Sequence, residues 1–181
     1  MSPTQIAPFL ALVGIGCVGQ LTFGQSVAPD PLSESSAEGR RMDQSAVGHD
    51  EDAILAVLRG VEAAFSDTDL PRYLSFFHTP YVIMAPAGVI APSSEDEALA
   101  LLRPQIENLR ARGYARSEVN AATVKLLSAT TALVATEWIR YKANNEELER
   151  LGATYAFYRG ERGWKIAMVM VYPPATLVEL N

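Results

Sequence analysis

The hydrophobic pattern of this chain changes period once, at Gly113, and that change limits the fold more than any other feature. Before it, apolar residues recur at helical spacing. Ile54, Val57, Leu58, Val61 and Phe65 form one stripe, and Ala98, Leu101, Leu102, Ile106 and Leu109 form another. After it they alternate in and out, as strands require. Helices first and an antiparallel meander second is an α+β arrangement.

Local signals set the expected boundaries. Asp50, Glu51 and Asp52 put negative charge where the first helix is predicted to begin. Pro71 suits the first turn of a short second helix, with Tyr73, Leu74 and Phe77 on its buried face; residues 78–80 should end it. Residues 81–84 read as a short strand and 89–90 as a second extended piece. Ser94 and Glu97 make a capping box for the third helix. Pro104 is expected to kink or interrupt that helix, and Gly113 to stop it. Four strands are predicted to follow: 119–127, 132–141, 154–159 and 164–172. Residues 142–152 are read as a polar loop, and the last two strands as a hairpin closed by 160–163.

The folded domain is thus expected over residues 50–175, followed by a tail over 176–181. Residues 1–28 carry no charged side chain and are apolar from Ile6 to Phe23, which fits a signal peptide or an N-terminal anchor. Residues 29–49 lack hydrophobic periodicity and read as a flexible linker. The expected location is therefore outside the cytoplasm, secreted or periplasmic, or cytoplasmic if the true start lies further on. A membrane is a partner only if the leader is retained. Gly14, Gly16 and Gly19 match a dinucleotide-binding spacing but sit in this leader, with no strand–helix context; they are assigned no function.

Composition removes several classes of function. A net charge of −6 and a pI near 5.0 leave no clustered basic surface for nucleic acid. Cys17, the single cysteine, lies in the leader, so intrachain disulfides and cysteine-type zinc sites are excluded. With two histidines and no motif for a phosphate-binding loop or a nucleophile elbow, neither a metal nor a cofactor is expected.

The order of elements resembles the SnoaL-like branch of the nuclear transport factor 2-like superfamily. The resemblance rests on the first helix ending in Phe65 and the Phe77-His78 step into Tyr81-Val82-Ile83. It also rests on the strand around Thr136-Glu137-Trp138, and on Tyr155-Ala156-Phe157-Tyr158 before Gly163-Trp164-Lys165-Ile166. It implies three helical segments packed in a strongly curved antiparallel sheet, a cone-shaped barrel with a pocket at its wide end. Members include isomerases, dehydratases, cyclases, hydrolases, ligand binders and dimerisation modules, so the fold leaves the function open. Enzymes of the superfamily commonly use an acid, a His and Tyr residues in the pocket. The last strand here, 166–171, has neither His nor acid.

Candidate residues follow, each with a structural alternative. His78 titrates in the range useful to a general base, or else caps a helix end. Glu137 sits mid-strand on the face of Leu133, Ala135, Ile139 and Tyr141. Inside a cone it would be a base of raised pKa; outside, it would pair across strands with a cation such as Lys125. Tyr155 would complete a proton-handling set. Tyr81, Met84, Trp138, Tyr141, Met168 and Met170 are expected to line a ligand pocket, or else to pack in the core. The leading expectation is binding of a small hydrophobic or amphipathic molecule. The alternatives are proton-transfer catalysis by Glu137, His78 and a Tyr, and a homodimer or interaction module with a filled cone.

Overall fold

A computed structural model of the protein describes residues 44–174 together with Val178 and Leu180. The leader, most of the expected linker and most of the tail lie outside the described residues.

Helix α1 runs over Gln44–Ser66 and so begins before the acidic triplet. Ile54, Leu58, Val61 and Phe65 lie along one face, each less than a tenth exposed. Full burial of one such side chain is worth about 1.5–3 kcal/mol. Asp69 caps α2 (Leu70–Ser75) by accepting from Arg72 N at 3.1 Å, with Pro71 in the first turn. Strand β1 then covers Phe77–Ala85 and β2 covers Gly88–Ile90. Helix α3, Glu95–Ala111, is capped by Ser94, which accepts from Glu97 N. The return half of the box is shifted by one residue: the Glu97 carboxylate takes Ser93 N and Oγ. The helix continues through Pro104, which is exposed, and ends before Gly113 at φ +89°.

The remaining strands are β3 (Tyr114–Leu126), β4 (Thr131–Lys142), β5 (Glu147–Gly160) and β6 (Gly163–Tyr172). The sheet is curved and unclosed, six strands in the order β2-β1-β6-β5-β4-β3. β3 to β6 form the expected four-strand antiparallel meander, and β1 and β2 extend it beyond β6. β1 adds to β6 in parallel, and the other pairs are antiparallel. The expected loop over 142–152 is instead mostly strand. Its polar residues pair across to β4, where Arg140 faces Glu149 and Ile139 faces Arg150.

One face of the sheet packs on the helices. Val134 and Trp138 of β4, Ala153, Tyr155 and Phe157 of β5, and Ile166 and Val169 of β6 join Ile54, Leu58, Val61, Leu102 and Ile106 in the core. Ser66 ties α1 to β3, its Oγ accepting from Ser117 N at 3.0 Å.

Candidate functional site

A cavity of about 460 Å³ opens between the helices and this inner face. α1 supplies Val61 and Phe65, α2 Tyr73, α3 Leu102 and Gln105, and β1 Tyr81 and Ile83. The floor comes mainly from alternate residues of the central strands: Trp138 and Arg140, then Glu149, Leu151, Ala153 and Tyr155, then Val169 and Val171; Arg150 also borders the space. Such walls suit an apolar ligand with a few oriented polar groups.

Aromatic rings run along one side in a chain, of which Phe65, Tyr73 and Tyr81 border the cavity. Phe65 lies 5.4 Å from Tyr73, Tyr73 4.9 Å from Phe77, and Phe77 4.8 Å from Tyr81, centroid to centroid. Burial pushes the Tyr81 hydroxyl up to about 12. It raises Tyr73 and Tyr155 as well, and the nearby Arg140 charge offsets this only in part. These hydroxyls are therefore neutral at physiological pH and serve as hydrogen-bonding groups rather than as phenolate bases.

Arg140 borders the cavity and is ion-paired with Glu149, which also takes Arg112 at 2.5 Å. Burial pushes the Glu149 carboxyl up, but the two guanidiniums together hold it below the usual carboxylate range. Trp138 is 6% exposed, and its indole N–H has no hydrogen-bond acceptor in bonding geometry. The Tyr155 hydroxyl is close enough to feel this N–H, which partly counters the effect of burial on Tyr155.

The structure separates the three residues proposed for proton transfer. Tyr155 is in the cavity floor. Glu137 points from the opposite face of β4, where Arg150 pairs with it at 2.9 Å and the Asn120 amide donates to it. The cross-strand register sets Lys125 opposite Leu133, and Ala121 opposite Glu137. Hydrogen bonds from Asn120 and Arg150 lower the Glu137 pKa, the reverse of the shift a buried base would show. His78 borders a second, polar depression of about 570 Å³ with Glu95, Arg162 and Lys165, its Nε2 3.2 Å from Tyr158 O. No single ligand in the main cavity meets all three.

The candidate lining residues also divide. Tyr81 and Trp138 border the cavity. Met84, Met168 and Met170 do not: Met84 alternates with Ile83 and Ala85, which border the space, and a β-bulge displaces the other two. Phe157 pairs with Ile166 but Ala156 pairs with Met168, so β6 carries one extra residue. This puts Val169 and Val171 inside and turns Met168 and Met170 outward, with Met84 opposite Met170. Tyr141 also lies outside the lining, with the Arg116 guanidinium 4.0 Å over its ring. Tyr73, Arg140, Glu149, Val169 and Val171 were missed as candidates. The alternation that carries Trp138 carries Arg140 too, so that residue had a signal. Glu149 had none once its strand was read as a loop.

Residues 51–174 match the family model described as NTF2-like protein (DUF6841). The chain belongs to this NTF2-like family. A search of curated proteins finds no match. Solved structures share the NTF2-like fold. One from Shewanella oneidensis MR-1, an NTF-2 like protein of unknown function, has TM-score 0.57 and 20% identity over 67% of this chain and 97% of its own. An NTF2-like protein from Novosphingobium aromaticivorans with a cystatin-like fold has TM-score 0.61 and 12% identity, covering 76% and 88%. The association domain of C. elegans CaMKII has TM-score 0.55 and 15% identity, covering 72% and 99%. At these identities the likeness is one of NTF2-like fold.

Proposed function

We propose that this NTF2-like domain binds a small hydrophobic or amphipathic molecule in the cavity between its helices and the inner face of its sheet. The observation that carries this reading is the 460 Å³ space walled by aromatic and aliphatic side chains. That volume lies within the range of small-ligand sites, roughly 300–1,000 Å³. The decisive experiment is native mass spectrometry of the full chain, with and without added lipophilic probes, beside a Val171→Trp variant that fills the space. Bound mass on the wild type and none on the variant is expected. No retained probe on either would end the reading. The apolar leader supports export as the setting, which N-terminal sequencing of secreted material tests.

A second reading, self-association through the outer face of the sheet, is supported by one patch. Val82 pairs with Met168 and Met84 with Met170, which sets apolar side chains side by side on the face away from the helices. Sedimentation of wild type and Met170→Lys tests it: a dimer dissociated by the lysine is expected, and a wild-type monomer rejects it.

A further inference from the structure

Six consecutive apolar residues, Pro86-Ala87-Gly88-Val89-Ile90-Ala91, are all exposed. Among the described residues, Val89 is the most exposed large hydrophobic side chain, at 67%, and Ile90 beside it is 47% exposed. An exposed apolar run of this length breaks the pattern of a soluble surface and calls for a function. The run is the tip of the β1–β2 hairpin, and β2 is an edge of the sheet that pairs with β1 alone. No charged side chain occurs from Thr79, through the rest of both strands, to Ser94.

Pro86 is both exposed and part of the lining, which places this tip at an opening of the main cavity. Ile83 and Ala85 border the same space, and Ile90 faces Ile83 across the strand pair. Apolar surface therefore runs from the tip into the cavity. Six small residues fall short of the roughly 800 Å² per partner that a stable protein interface buries. Aliphatic side chains on an uncharged tip do suit the boundary of a bilayer, where each gains by leaving water. Charge narrows the choice of surface. Glu95, Asp96 and Glu97 follow the hairpin directly and are exposed, and the chain carries a net charge of −6, so an anionic surface repels it.

We propose that the β1–β2 tip docks the domain on an electrically neutral lipid surface, with Val89 and Ile90 inserted among the lipids and the cavity opening held against them. The choice of lipid rests on the cavity being a site for a hydrophobic or amphipathic molecule. Such a ligand is concentrated in a bilayer and reaches the cavity along Ile90, Pro86 and Ile83 without crossing open water. This contact is independent of the apolar leader.

The test puts a nitrobenzoxadiazole label on Ala87→Cys in the full chain, with Cys17, the single cysteine, changed to Ser. Glu161→Cys, in the exposed turn between β5 and β6, carries the control label. Both are titrated with phosphatidylcholine vesicles, with and without nitroxide-bearing lipid. The tip label should shift to the blue and be quenched by the nitroxide. The control label should stay as in water, even where the leader tethers the chain to a vesicle. Val89→Asp with Ile90→Asp should weaken the tip response roughly tenfold or more, since burial of one aliphatic side chain is worth at least about that factor. If that variant does not fold, the two labels on the unaltered tip decide alone. A tip label unmoved by vesicles, moved equally in the aspartate variant, or moved more by phosphatidylglycerol vesicles overturns the proposal. So does a blue shift before vesicles are added. If that shift grows with protein concentration, a second copy covers the tip; if not, another part of the same chain does. Neither Val89 nor Ile90 lines the cavity. Probe retention against Val171→Trp therefore judges the cavity reading separately: retention without docking fells this proposal alone, and docking without retention fells the cavity reading alone.

Discussion

Glu137 and Arg150 meet across β4 and β5 on the face of the sheet turned away from the helices, Oε2 to Nη1 at 2.9 Å. Asn120 from β3 donates to the same carboxylate, so three neighbouring strands are cross-linked at one point. The acid in the centre of the sheet therefore serves outer-face pairing, and its link to the cavity runs only through Arg150, which borders that space. Glu137→Gln is expected to leave probe affinity unchanged and to lower the melting temperature slightly. Calorimetric titration beside a thermal melt checks both. A tenfold or greater loss of affinity (about 1.4 kcal/mol) with the fold intact would show that the carboxylate acts at the site.

Glu149 makes the corresponding pairing on the inner face, and its effect depends on pH. Its folded-state pKa is depressed, because Arg112 and Arg140 outweigh the burial that pushes it up. The unfolded value is near an ordinary Glu, about 4.3. The stabilisation is thus fully present above that value and is lost as pH falls through the lower folded value. The stability difference between wild type and Glu149→Gln should be constant from pH 7 to about pH 5 and shrink towards pH 3. Urea denaturation across that range measures it. A difference that grows on acidification would contradict the clamp.

The same substitution at two glycines should act in opposite directions. A Cβ on Gly152 would lie less than 3.0 Å from the Tyr172 ring, whose hydroxyl is fixed at 2.9 Å from Thr154 Oγ1. Gly152→Ala is expected to cost about 1–3 kcal/mol by overpacking. Gly48 is exposed in α1, and a Cβ there meets nothing within 4 Å. Gly48→Ala is expected to stabilise by about 0.5–1 kcal/mol through helix propensity. Denaturant midpoints of the two variants give the signs directly.

How far the chain could be read ahead of the structure follows from where its side chains find partners. The apolar stripes of α1 and α3 were legible, because Leu58 or Ile106 can be satisfied only by burial on one helical face. The 147–152 part of β5 was not. Glu149 and Arg150 look like loop residues until Arg140 and Glu137 stand opposite them, and that register is a tertiary fact. The start of α1 was missed for a related reason. Gln44–His49 has no apolar period, so nothing local marks it as helix. The bulge in β6 did most to displace the site. Val169 and Met168 are equally apolar, and one extra residue after Ile166 decides which faces the cavity. Trp138 was visible as a candidate, but its unpaired N–H could be seen only once its neighbours were placed.

Asp50 gives the last prediction. Its carboxylate is 14% exposed and accepts from Arg159 Nη1 at 2.8 and 3.0 Å and from Trp164 Nε1 at 3.2 Å. One side chain of α1 thereby holds the hairpin ends of β5 and β6. Arg159 is nearly half exposed, so solvent screens the ionic part, and the indole contact should carry much of the effect. Asp50→Ala is expected to cost about 1–2 kcal/mol and to move the Trp164 indole resonance upfield as its acceptor disappears. Asp50→Asn keeps an oxygen for the indole while removing the charge, so it should restore the Trp164 resonance and recover part of the stability. Trp138 shares neither partner and should be unmoved in both variants. If Asp50→Ala moved both resonances, the two indoles would be coupled through the core, and the Asp50 contact would not be local to the hairpin ends.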